Sequence, residues 1–187
     1  RHLKRGDHLL RYAVAVARDT ALAPADALGI LPSALAAADD PRAVDTLTVR
    51  YGQALSATAA CEDAASAFRA VLRRSADSGL RHSATAGLAG CSLRLALAAQ
   101  SAGRPGDAER WFMSATIGDS SSWTARRALI GLADARRQLG DTLGAATALL
   151  RAQALGSNDS LSHVAAERLR TLAAPQSAGD STRMSTP

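Results

Sequence analysis

The chain has 187 residues, a net charge of +5 from 22 Lys plus Arg against 17 Asp plus Glu, and only 3% aromatic residues. That length suits one domain or one short solenoid with its own core, and sparse β-branched residues argue against a sheet. No apolar run approaches the ~18 residues needed to span a bilayer, and the arginines are dispersed among acidic residues, with no basic run interleaved with aromatics of the kind that grips single nucleic-acid strands, so no specific nucleic acid is expected as a partner.

Residues 1–8, RHLKRGDH, are a polar basic lead that opens on Arg1 rather than methionine, as expected of a processed product, a fragment or an incomplete sequence. A first helix is expected over about 9–22. Pro24 can open the next helix at its first turn, where a missing amide costs nothing, whereas Pro32 is expected to kink or split that helix. Asp40-Pro41 is a start signal, with Asp40 as cap and Pro41 as first helical residue. The third helix runs to about Thr58 and the fourth over Cys61 to Arg74. Residues 75–79 read as a turn, and a fifth helix covers 81–101. Gly103-Arg104-Pro105-Gly106 closes it, and a sixth helix covers about 106–117.

Residues 118–122, GDSSS, form a loop that supplies a cap. The stretch 126–155, RRALIGLADARRQLGDTLGAATALLRAQAL, reads as two antiparallel helices joined at Gly140-Asp141. Gly140 can take the left-handed conformation that ends a helix, and Asp141 caps the next one, with Thr142 as the alternative. Asn158 to Ser160 caps a ninth helix reaching about Ala173. The tail 174–187 has the composition of a disordered segment. Its order would have to come from a partner, so the chain is expected to be gripped at both termini in a larger complex. The predicted organisation is an N-terminal helical pair over 1–40, a helical region over 41–173 and the tail.

Within the 126–155 hairpin, Leu129, Leu132-Ala133, Gly140, Ala145, Leu149 and Ala152 set a spacing that returns elsewhere. It recurs as Ser92, Leu95-Ala96, Gly103, Ala108, Phe112 and Ala115. It recurs again as Thr48, Tyr51-Gly52, Ala59, Ala64, Phe68 and Val71, and more weakly as Arg11, Val14-Ala15, Leu22, Ala27, Leu31 and Ala34. Small residues at Gly52, Ala96 and Ala133 are expected to face Ala64, Ala108 and Ala145, so that paired backbones approach closely. This pattern resembles the tetratricopeptide repeat (TPR) family. The resemblance departs from the family where a tyrosine is expected (Arg136, Ala99, Leu55, Arg18) and where a closing proline is expected (Ser157, Ser120, Ala76, Asp39). The anchor alanines are 37, 44 and 37 residues apart, against a family period of about 34. The resemblance implies an all-α, right-handed superhelix of antiparallel hairpins, with about nine helices. An alanine-rich bundle without repeats is the alternative.

The chemistry-bearing residues are few. Cys61 and Cys91 either staple adjacent helices, which would imply an oxidising compartment, or serve as two buried free thiols. His2, His8, His82 and His163 are scattered without the spacing of a metal site. Asp39-Asp40, Glu62-Asp63 and Asp107 with Glu109 sit at helix starts, where the helix dipole favours negative charge. No phosphate loop, nucleophile elbow or zinc-hydrolase motif is present, so neither catalytic residues nor a cofactor are assigned. Trp111 and Trp123 are expected to pack in the core or to anchor a partner.

The resemblance implies a concave groove lined by the first helix of each hairpin. Mapped onto this chain, its candidates are Val49, Arg50 and Gln53; Leu93, Arg94, Leu97 and Gln100; and Arg127, Ile130, Asp134 and Arg137. Family members that read acidic chaperone termini use a lysine and asparagine clamp. The matching positions here are Val16, Gln53, Leu97 and Asp134, which does not fit that activity. Arginines and aliphatics suit an acidic amphipathic segment instead. The expected function is a non-enzymatic scaffold. It would be an accessory, membrane-extrinsic subunit that stabilises a larger bacterial complex, in the periplasm or at a membrane face rather than in the cytoplasm. Its partners would be protein subunits, some of them membrane-embedded. The alternatives are the sensor or effector region of a bacterial regulator, binding peptide or nucleic acid, and a helical enzyme with an unrecognised site.

Overall fold

The computed structural model describes residues 8, 11, 12, 15, 16, 22–117, 122–156 and 159–173. Among them lie eight helices and no strand: α1 (Pro24–Ala37), α2 (Pro41–Ala57), α3 (Cys61–Arg74), α4 (Ser78–Ser101), α5 (Pro105–Ala115), α6 (Trp123–Gln138), α7 (Thr142–Ala154) and α8 (Ser160–Ala173). Residues 8, 11, 12, 15 and 16 are also helical, while the rest of the expected helix over 9–22 falls almost wholly outside the described residues, as does the tail 174–187.

Local chemistry sets the boundaries. Asp40 accepts a hydrogen bond from the Ala43 amide at 2.8 Å, and Pro41 opens α2. Asp141 accepts from the Gly144 amide at 2.8 Å, and Ser122 accepts from the Ala125 amide at 3.2 Å. Several boundaries differ from the sequence reading: α6 begins at Trp123 rather than 126, and α5 spans Pro105–Ala115 rather than about 106–117. The fourth helix in this numbering begins at Ser78 because Asp77 accepts from the amides of both Gly79 and Leu80, which brings Gly79 inside the first turn. Helix α1 also continues through Pro32. Leu31 and Ala34 on either side of the proline are buried, and that packing holds the helix in place of the lost hydrogen bond.

One turn is built three times. At the ends of α2, α4 and α6, the amides of Thr58, Ala102 and Leu139 donate to the carbonyls of Ala54, Ala98 and Ala135, each at 3.1 Å. The next residue is left-handed in every case: Ala59 (φ 64°), Gly103 (φ 67°) and Gly140 (φ 84°). The amides of Ala60, Arg104 and Asp141 then reach back to the carbonyls of Leu55, Ala99 and Arg136, each at 2.9 Å. This is the Schellman closure that satisfies a helix's last carbonyls. It turns the chain directly into α3, α5 and α7.

Packing repeats as well. Phe68 and Phe112 are fully buried, and each lays its ring on a glycine of the following helix. A Cβ on Gly87 would stand 2.3 Å from the Phe68 ring, and one on Gly131 would stand 2.3 Å from the Phe112 ring. Each glycine follows its phenylalanine by the same 19 residues. Gly52 also lies under Phe68, so its nearest neighbour is this ring rather than the expected Ala64. The stripe alanines Ala64, Ala108 and Ala145 are wholly buried.

Successive helices pack as neighbours along the chain, and alternate helices α2, α4, α6 and α8 also touch. The long α4 is shared between two cores. Its Ala84, Leu88 and Cys91 join α3 around Phe68, while its Leu93, Ala96 and Ala99 join α5 to α8 around Phe112 and Leu149. A small third cluster, Leu31, Ala34 and Leu47, closes α1 on α2. Closely packed neighbouring helices of this kind are compatible with a helical-repeat fold.

Candidate partner-binding groove

Between α4, α6, α7 and α8 lies an open cavity of about 770 Å³. Three of the residues that the TPR resemblance places in a groove converge on it: Gln100 from α4, and Asp134 and Arg137 from α6. Ala133, Leu149 and Leu172 add apolar surface, and Arg168 and Thr171 line the α8 side. Asp134 is ion-paired with Arg168. Arg137 is exposed, and its guanidinium has no hydrogen bond or ion pair among the described residues. The cavity therefore combines apolar surface, one compensated charge pair and one available cation.

The other groove residues lie elsewhere. Arg50 donates to Gln53 at 3.2 Å, so these two satisfy one another on α2. Arg94 is committed within the chain. Its Nη2 donates to the Ser56 carbonyl at 2.8 Å, to Ser56 Oγ at 2.5 Å and to Cys91 Sγ at 3.4 Å. Val49, Leu93 and Ile130 are core residues, and Leu97 packs against the larger core. Arg127 is half-buried and does not line the cavity.

The two tryptophans differ. Trp111 packs against both larger cores and carries the Arg69 guanidinium 5.2 Å above its ring, an arrangement that favours the cation through the ring's quadrupole. Arg69 also donates to Ser114 Oγ at 3.4 Å, and Ser92 Oγ donates to the same oxygen at 3.0 Å. Trp123, the first residue of α6, is 62% exposed.

The shifted titratable groups trace ends and joints of helices. The Arg126 guanidinium beside Asp159, with the Ser162 amide, holds that carboxyl well below its usual range. Asp77 is held down by the Leu80 amide, and Asp107 by Arg110 and Arg104. Burial, with Cys91 alongside, pushes the Cys61 thiol up to about 11. Cys61 and Cys91 are both buried and both free. Among the described residues no three of His, Cys, Asp and Glu converge in a way that could hold a metal ion, and no helix is long and apolar enough to cross a membrane.

Sequence reasoning missed Arg126 and Arg168. Both stand on otherwise apolar stripes, Arg126 with Leu129 and Ala133, and Arg168 with Leu161, Ala165 and Leu172. An arginine on a buried stripe calls for an acidic partner, and Asp159 and Asp134 are those partners.

No protein-family model matches the chain, and no curated protein or solved structure matches it.

Proposed function

We propose that the chain is a TPR-like superhelical scaffold without catalysis of its own, and that its α4–α6–α7–α8 cavity holds an acidic, amphipathic segment of a partner protein. The observation that carries this reading is the convergence of Gln100, Asp134 and Arg137 on one concave surface. The thrice-repeated Schellman turn and the Phe-on-Gly contacts support the repeat character. Arg137 offers a planar, two-pronged donor suited to a carboxylate, and Leu149 and Leu172 offer apolar surface to a neighbouring side chain. In this reading the chain is an accessory, membrane-extrinsic subunit of a larger bacterial assembly.

Two measurements test it. A photo-crosslinking residue at position 137, introduced in the native host, should capture one defined partner, whereas the same residue at the exposed Leu150, outside the cavity, should not. Equal capture at both positions would reject the groove. On gradient sedimentation of gently solubilised cells, the chain should travel with a much larger particle. Sedimentation as a free monomer would reject the subunit role.

A further inference from the structure

We propose that Asp134 sets the specificity of the cavity between α4 and α8. By holding Arg168 it limits the cavity to one partner carboxylate, at Arg137, and shuts a second carboxylate subsite beside it. This rests on the groove reading above and says which acidic segments the groove admits.

Three charged side chains line the cavity: Asp134, Arg137 and Arg168. Asp134 and Arg137 stand three residues apart on α6, so they share a face of that helix, with Cβ atoms about 5–6 Å apart. Arg168 comes from α8. Asp134 is thus offered one cation on its own helix and one across the cavity, and it pairs with the second. Arg136, the neighbour of Arg137 in the chain, is drawn to Glu109 and Asp141 instead. Arg137 is left as the cation that a ligand can take.

The Asp134–Arg168 pair is partly withdrawn from water, with side chains 21% and 37% exposed. Such a pair is screened less than an exposed one. Arg168 therefore faces the cavity with its charge already answered. A partner carboxylate brought to it would meet Asp134 at the same place, and like charges so close repel. Two arginines against one aspartate leave the cavity a single positive charge, which one carboxylate balances. Asp134 stands where a second partner carboxylate would otherwise stand.

The register of that second subsite follows. Arg168 reaches Asp134, one turn of α6 away from Arg137, so the two cations bracket about one helical turn. A ligand helix with acidic residues four positions apart spans the same length, and its apolar side chains can meet Leu149 and Leu172. Arg126 and Asp159 fasten the start of α8 independently, so removing the charge of Asp134 leaves that helix anchored.

Fluorescence anisotropy with the full chain and three leucine-bearing helical peptides tests the proposal. The peptides carry no glutamate, one glutamate, or two glutamates four positions apart, with glutamine in the vacated places. The wild type should bind the one-glutamate peptide tighter than the neutral one, and the two-glutamate peptide no tighter again. Asp134→Asn should bind the two-glutamate peptide about tenfold or more tighter than the one-glutamate peptide, and adding Arg168→Gln should abolish that gain. Asp134→Ser makes the same comparison should the amide variant not fold. A second glutamate that tightens wild-type binding by the same factor would overturn the proposal, as would equal binding of both acidic peptides by Asp134→Asn. So would a variant whose Tm falls and whose affinity drops alike for all three peptides, the signature of a pair that only fastens α8. Those outcomes leave the groove reading standing. If the wild type does not prefer the one-glutamate peptide to the neutral one, the groove reading falls and this proposal falls with it.

Discussion

Arg126 and Asp159 meet through both terminal guanidinium nitrogens and both carboxylate oxygens, each contact at 2.6 Å. The arginine is 6% exposed and also reaches Ser162 Oγ at 3.1 Å and the Ala152 carbonyl at 3.4 Å. Asp159 in turn accepts from the Ser162 amide at 3.0 Å. One side chain therefore joins α6, the end of α7 and the start of α8. Asp159→Asn leaves a buried cation without its counter-charge, which destabilises more than a surface pair would. We expect a clear fall in Tm, with faster amide exchange over 161–169 appearing before exchange elsewhere. Uniform exchange would show that the pair does not fasten α8.

The same pair predicts a pH effect. The folded-state pKa of Asp159 is depressed. As pH falls through and below the ordinary carboxylate range, the unfolded chain takes up a proton that the folded chain refuses. The contribution to stability is present above that range and lost toward strong acid. Urea unfolding between pH 6 and pH 3 should show a steeper loss for the wild type than for Asp159→Asn.

Gly87 and Gly90 lie one turn apart in α4 and should respond oppositely to alanine. A Cβ at Gly87 meets the Phe68 ring at 2.3 Å, whereas one at Gly90 meets nothing within 4 Å. Alanine is the better helix former by about 1 kcal/mol. Gly90→Ala should therefore stabilise by up to about that amount, while Gly87→Ala should destabilise by about 1–3 kcal/mol through overpacking. Pairing Gly87→Ala with Phe68→Leu should recover part of the loss. Purely additive effects would mean that ring and glycine do not touch.

The contrast between these positions shows what the sequence could and could not reveal. Apolar and small residues at helical spacing were legible, and Ala64, Phe112 and Leu149 are buried as their stripes require. The turns were legible through Gly103 and Gly140, because glycine marks left-handed backbone. The third turn carries the same conformation on Ala59, which has no local signature. The glycines under Phe68 and Phe112 were not legible, because their reason lies on another helix. The groove was half legible: the spacing places Gln100, Asp134 and Arg137 on first helices, but only the fold shows that Arg94 is spent on Ser56 and that Val49 and Ile130 face inward.

Ala59 gives a prediction that runs against the usual cost of glycine. At φ 64° an L-residue crowds the backbone, a penalty of about 1–2 kcal/mol. Glycine removes it but adds about 0.4–1 kcal/mol of unfolded-state entropy. Ala59→Gly should therefore raise stability by up to about 1 kcal/mol, while Gly140→Ala, at φ 84°, should lower it by about 1 kcal/mol. A destabilised Ala59→Gly would mean that this turn is not the equivalent of the other two.

Arg94 and Arg137 separate folding from partner binding. Both were groove candidates by the TPR resemblance, yet Arg94 holds Ser56 and Cys91 while Arg137 has no side-chain partner among the described residues. Arg94→Glu should lower Tm, because it places a carboxylate against the Ser56 carbonyl. Arg137→Glu should leave Tm nearly unchanged, since substitutions at exposed, unengaged positions usually shift stability by less than about 0.5 kcal/mol. Its effect should appear in association with the proposed acidic segment. A charge-assisted hydrogen bond contributes about 1.5–3 kcal/mol, so its loss weakens binding by about tenfold or more, and reversal adds repulsion that high salt relieves. Fluorescence anisotropy with an acidic amphipathic peptide at two ionic strengths reads this directly. If Arg137→Glu binds as tightly as the wild type at low salt, the cavity between α4 and α8 is not where an acidic partner docks.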